Sequence, residues 1–229
     1  MTRSRVQADR YREIAARGDK ALGKGSVELD GRLLGPECDG RLGLSLILRP
    51  DPLLAPRYAE IVSRFRGIDP DQYYYPFDDL HITVFDLIAA HEGFDRRMID
   101  IEECLALSRE AVNGRFPFDI DFKELIFGEA AGMLAGFDRG ELATMRDAIR
   151  KTLLLRGLPN MERYASVTAH MTFCRFVRPL RKFAEFARLA HALARRPLGN
   201  MRVAAADLVI NDWYNRARQR ETISTVRFG

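Results

Sequence analysis

Two short segments of this 229-residue sequence carry side chains that can move protons: "DLHITVF", with His81 and Thr83, and "AHMTF", with His170 and Thr172. Each reads as a strand, rich in β-branched and apolar residues. Alternation sets His81, Thr83 and Phe85 on one face against Ile82 and Val84, and His170, Thr172 and Cys174 on one face against Met171 and Phe173. Either segment alone is explained by a solvated strand face. With four histidines in the chain, two independent His-x-Ser/Thr matches arise by chance in roughly 2–3% of such sequences. Requiring both at the same place in a repeated unit makes the coincidence rarer, so the pair carries weight that neither copy has.

The chemistry suits the pairing. Imidazole titrates near neutrality, so one ring can act as a base while the other acts as an acid. A phosphodiester needs that combination: one proton leaves the attacking oxygen and one reaches the leaving oxygen, roughly in line across phosphorus. The hydroxyls, two residues along on the same face, can donate to the non-bridging oxygens. The set needs no metal and no other cofactor, and two lone histidines on separate strands make a poor metal site.

The elements that must position these residues repeat. "RLGLSLIL" (41–48) reads as a buried strand, 56–68 as a helix with Tyr58, Ile61, Val62 and Phe65 on one stripe, 80–88 as a strand, 96–112 as a helix and 115–127 as a half-exposed strand. The order then recurs: a strand at 130–137, a helix from 139 with Leu142, Met145, Ile149 and Leu153 on one stripe and Gly157 as its C-cap, a strand at 166–176, a helix stopped by Pro197, and "MRVAAADLVIND" and "RETISTVRF" as two strands joined by a loop. In each half the leading strand begins about 40 residues before the histidine. Alternating elements of this kind predict α/β or α+β layers.

Composition sets outer bounds. Residues 1–24 hold seven basic and three acidic side chains, which accounts for the whole net charge of +4 and leaves the other 205 residues neutral. A long duplex bound through many phosphates is therefore disfavoured. The basic N-terminal stretch is read as a solvated helix or tail. No apolar run approaches the roughly 20 residues that span a bilayer, and the N-terminus lacks the apolar core of a signal peptide. The cysteines, Cys38, Cys104 and Cys174, form no CxxC, which points to a reducing cytoplasm.

The two motifs, "DLHITVF" and "AHMTF", with the strands at 41–48 and 130–137 and the closing strand pair, resemble the two-histidine phosphoesterase superfamily, which includes 2′-5′ RNA ligase-like proteins and RNA 2′,3′-cyclic phosphodiesterases. The resemblance covers residues 41–229 and leaves 1–40 as a basic N-terminal extension. It implies one bilobal α+β domain of pseudo-twofold, duplicated β-α-β-α-β halves, roughly 41–128 and 129–229, around a central groove. It implies His81, Thr83, His170 and Thr172 as the site, with His170 as base and His81 as acid. It also implies metal-free hydrolysis of a 2′,3′-cyclic phosphate or related 2′-linked phosphoester by a monomer acting on a nucleotide or an RNA 3′ end. A nucleotide- or RNA-end-binding module without turnover, and ligation of RNA 2′-5′ ends by the same groups, remain alternatives.

Other residues divide between binding and packing. Tyr73, Tyr74 and Tyr75 precede the first motif and Tyr164 the second; each can stack a base or fill the core. Trp213, Tyr214, Arg216, Arg218 and Arg220 mix aromatics with arginines in the last loop, as a nucleotide site or a solvated basic loop would. His91 is read as a surface residue and His191 as a border of its helix stripe. Cys174 has no activating partner in sequence and is read as groove wall.

Overall fold

A computed structural model describes residues 3–34 and 39–229; Cys38 lies outside the described residues. Chain order is α1 (Arg3–Lys24), β1 (Leu42–Leu48), α2 (Ala55–Ile68), β2 (Tyr73–Tyr74), β3 (Ile82–His91), α3 (Ile101–Val112), β4 (Phe118–Phe127), β5 (Ala131–Phe137), α4 (Glu141–Leu155), β6 (Ala169–Arg175), α5 (Phe183–Leu193), β7 (Gly199–Val203), β8 (Ala205–Asp212) and β9 (Glu221–Arg227). The fold is α+β, with two sheets whose ladders are antiparallel throughout.

The sheets run β3-β1-β8-β9 and β2-β6-β5-β4-β7. Without the two-residue β2, both have the same plan. The motif strands β3 and β6 stand in one place, the leading strands β1 and β5 in the next, and β8 and β4 follow, then β9 and β7. The sheets do not divide at residue 128. β4, from the first half of the sequence, joins the sheet of β5 and β6, and β8 and β9, from the second half, complete the sheet of β1 and β3. The run 201–212 is correspondingly two strands, β7 and β8, in different sheets rather than one.

The helices cross over as well. From α2, Phe65 packs against Phe127 of β4, Phe173 of β6 and Phe186 of α5, with ring centroids 4.9–5.6 Å apart. Tilted and edge-on pairs of this kind add about 0.5–1.5 kcal/mol each beyond burial. In the other direction α4 lies against β3 and α3. α4 presents Leu142, Met145, Ile149 and Leu153 inward, as the stripe predicts, and ends before Gly157 at φ +65°, the left-handed conformation glycine adopts without penalty.

The expectation of a solvated N-terminal helix is overturned. α1 packs on β4, β5 and α5, and Tyr11, Ala21 and Leu22 are buried. The Tyr11 hydroxyl donates to the Gly136 carbonyl at 3.0 Å and accepts from the Ala169 amide at 2.9 Å, one residue from His170. Beyond the helix, the amides of Glu28 and Asp30 donate to the carbonyls of Glu129 and Phe176. The misreading has a physical cause: the basic side chains occupy the outer face, and the inner face is short of large apolar groups because the backbone approaches closely. A Cβ on Gly18 would lie 1.9 Å from the Phe127 carbonyl oxygen, whereas one on Gly23 would meet nothing within 4 Å.

That contrast gives a test. Gly18→Ala must push α1 off β4 and is expected to lower the unfolding free energy by about 1–3 kcal/mol, while Gly23→Ala should be neutral or stabilising by up to about 1 kcal/mol. Urea unfolding of both variants checks this, and equal effects would contradict the packing.

Candidate active site

The local geometry of both motifs starts two residues before each histidine. The Nδ1 of His81 donates to the Asp79 carbonyl at 3.1 Å. A carbonyl only accepts, so the proton of the neutral ring sits on Nδ1 and Nε2 carries the lone pair. The same carbonyl accepts from Asn215 Nδ2 at 3.0 Å, and the Asp79 carboxylate accepts from the Ala217 amide at 2.7 Å, which ties the turn before the motif to the last loop. In the second copy the Thr168 hydroxyl lies 2.8 Å from Nδ1 of His170. Both rings are thus held by Nδ1, leaving Nε2 to exchange a proton.

Beyond the threonines, both strands depart from simple alternation. Leu46 pairs with Phe85 and Ile47 with Thr83, so Val84 is an extra residue in the β1–β3 ladder. Gly132 pairs with Cys174 and Met133 with Thr172, so Phe173 is the extra residue in the β5–β6 ladder. Each β-bulge shifts the phase of the pleat by one. Phe85 and Cys174, expected on the histidine face, are buried in the core instead, and Cys174 is not groove wall. Asp86 and Arg175, three residues after each threonine, line the groove in their place.

His81, Thr83, His170 and Thr172 line one groove between the sheets, of about 880 Å³ including its open mouth. Burial depresses the pKa of both imidazoles to about 4; His81, when protonated, and the charges of Arg146 and Arg175 weigh further on His170, and those of Arg220 and Arg175 on His81. Burial raises the Asp86 carboxyl, to which the Ser45 hydroxyl donates at 2.9 Å. Arg175 donates through Nε to the Tyr75 hydroxyl at 2.8 Å, and its guanidinium lies 3.5 Å from Asp30.

The aromatic candidates separate. Tyr75 lines the groove but is buried, and its hydroxyl holds Arg175. Tyr74 is buried too and donates to the Asp69 carbonyl at 2.8 Å. Tyr164 lines the mouth at 64% exposure. Trp213 lines the same end, with the guanidinium carbons of Arg41 and Arg163 at 4.2 and 4.1 Å from its ring. Tyr214 and Arg216 are not in the wall. Tyr214 is fully buried and donates to Asp30 at 2.9 Å. Arg216 pairs with Asp212, and its amide donates to the same carboxylate at 2.8 Å. Asn215, at φ +57°, closes the turn between them through its amide to the Asp212 carbonyl. His91 and His191 are exposed and stand outside the groove.

Sequence reasoning missed Thr168, Asp79, Asp86, Arg175 and Arg146. A signal for the first four was present: aligned on the histidines, "DLHITVFD" and "TAHMTFCR" are polar at the same four positions.

No protein-family model matches the sequence, and neither does any curated protein sequence. Solved structures do. TT0787 of Thermus thermophilus is 15% identical, over 82% of this chain and 97% of that one, with a TM-score of 0.52. E. coli LigT complexed with 3′-AMP is 15% identical over 82% and 98%, with a TM-score of 0.50. A conserved protein of unknown function, ATU0111 from Agrobacterium tumefaciens str. C58, is 14% identical over 92% and 98%, with a TM-score of 0.53. The chain shares the fold of these three structures. The described residues include no helix long and apolar enough to cross a membrane.

The depressed imidazoles make stability pH-dependent. Their folded pKa values, about 4, lie below the ordinary value of about 6.5, so between those limits the unfolded chain binds more protons and acidification favours it. The unfolding free energy should therefore fall as pH drops through that window, and less steeply in a His81→Ala/His170→Ala variant. Urea melts across pH 4–7 check this; equal slopes would mean the rings are not held neutral in the folded protein.

Proposed function

We propose that the chain is a metal-independent phosphodiesterase that opens a 2′,3′-cyclic phosphate, or hydrolyses a related 2′-linked phosphoester, of a nucleotide or an RNA 3′ end. The observation that carries this reading is that two His-x-Thr faces from separate sheets line one groove together with three arginines, Arg146, Arg163 and Arg175. A phosphodiester anion with two non-bridging oxygens suits that wall, and LigT, which shares the fold, is complexed with 3′-AMP.

In the proposed reaction His170 takes a proton through Nε2 from water as its oxygen attacks phosphorus. His81 gives a proton from Nε2 to the departing ribose oxygen. One P–O bond forms, one breaks, and a nucleoside monophosphate leaves. Thr83 and Thr172 donate to the non-bridging oxygens, where charge grows. The assignment of base and acid follows the family resemblance; the tautomer fixed by Asp79 leaves His81 able to carry a second proton on Nε2.

Two half-buried neutral rings need one proton between them before this cycle can run. The ester supplies the driving force, since a bound anion raises the pKa of an imidazole beside it. The dependence of kcat/KM on pH, which reports the free protein, should therefore peak on the acid side, near pH 4–5 by the depressed values of about 4. The kcat optimum should lie higher. His81→Ala and His170→Ala should each lower kcat by about 10²–10⁴-fold, and chelators should change nothing. Steady-state kinetics on a mononucleoside 2′,3′-cyclic phosphate checks all three. A wild-type rate in either variant, or loss of activity in chelator, sinks the reading; binding without turnover would instead mark a nucleotide-binding module.

A further inference from the structure

We propose that Arg146 is a positioning residue that ties the main chain of the first motif to that of the second and so sets the separation of the two imidazoles. The inference rests on the phosphodiesterase reading for its kinetic consequence, though not for its geometry.

Arg146 stands on α4, on the apolar stripe between Met145 and Ile149, and is 1% exposed. Arginine is almost never so buried unless its charge is met. Among the described residues its guanidinium forms no ion pair. Its partners are carbonyls: Nε donates to Val84 at 2.9 Å, and Nη2 donates to Thr83 at 2.7 Å and to Thr168 at 2.8 Å. Val84 is the bulge residue of the first motif and Thr83 its hydroxyl. Thr168 is the residue whose side chain holds His170. A single planar fork therefore grips both motif segments, which belong to different sheets. Among the described residues no main-chain ladder joins those two sheets near the histidines, so this fork is a direct polar link between them.

Nη1 is buried without a partner, which costs one unsatisfied donor. Two properties suit guanidinium to this place all the same. Burial lowers its pKa to about 10, which leaves it charged at neutral pH while a lysine in the same place would sit nearer to deprotonation. The fork's fixed angles also matter, because an ammonium is a point donor that cannot hold three carbonyls in one plane.

Displacement of catalytic groups by about 1 Å can cost 10²-fold in rate, so the effect should fall on turnover rather than on binding. The test compares Arg146→Gln and Arg146→Lys with wild type on a mononucleoside 2′,3′-cyclic phosphate, alongside ring-proton NMR of the four histidines. Arg146→Gln is expected to lose about 100-fold in kcat with KM little changed, and Arg146→Lys to lose less. In both, the His81 and His170 ring signals should move while those of His91 and His191 stay. Three results would overturn the proposal: unchanged kcat in the folded variants, a loss carried by KM, or a loss of kcat with the His81 and His170 signals unmoved. If Arg146→Gln does not fold, Arg146→Lys decides by the same readings. If wild type turns over no ester, the phosphodiesterase reading fails, and the ring signals alone still decide whether Arg146 holds both motifs.

Discussion

A regular strand shows every second side chain to one face, and the groove needs a different spacing. Each motif must present a histidine, a threonine two residues on and a charged group three residues after that, while the large apolar residues between them turn inward. An extra residue directly after each threonine, Val84 and Phe173, makes this possible. Without the bulges Phe85 and Cys174 would enter the groove, and Asp86 and Arg175 would be driven into the core as unpaired charges, at a cost of several kcal/mol each. The rest of the site follows from this phase change, including the Tyr75 contact that holds Arg175 and the Ser45 contact that holds Asp86.

The same geometry explains why the halves exchange elements. Two sheets of like plan, each bearing its motif strand beside its leading strand, are coupled most strongly if each borrows strands and a helix from the other. β4 crosses to the sheet of β6, and β8 and β9 cross to the sheet of β3. α2 and α4 cover the opposite partner's strands. Neither sheet is then a separable lobe, and the groove between them is held by the continuous core they share.

Much of this was legible in the sequence. The two His-x-Thr motifs, the repeated order of elements and the helix stripes depend on local periodicity, which is readable. What failed depended on other parts of the chain. The bulges come from cross-strand register, so Cys174 was placed on the wrong face. The exchange of β4 and β8 is a matter of topology, which local patterns do not encode. Tyr214 looked like a binding aromatic because its partner Asp30 is 184 residues away. The basic residues of α1 hid an inner face built around Gly18 and Tyr11. Arg146 had a signal that went unread: a lone cation in the middle of the stripe of Leu142, Met145, Ile149 and Leu153 has to find buried acceptors.

The central claim is that the two imidazoles and two hydroxyls converge on one phosphate. The most direct measurement is a crystal structure of the protein soaked with 3′-AMP. The account predicts the phosphate in the groove, with a nitrogen of His81, a nitrogen of His170 and the hydroxyls of Thr83 and Thr172 each within about 2.7–3.2 Å of its oxygens. A phosphate that touches one histidine and leaves the other beyond hydrogen-bond reach, or one seated outside the groove, would contradict it.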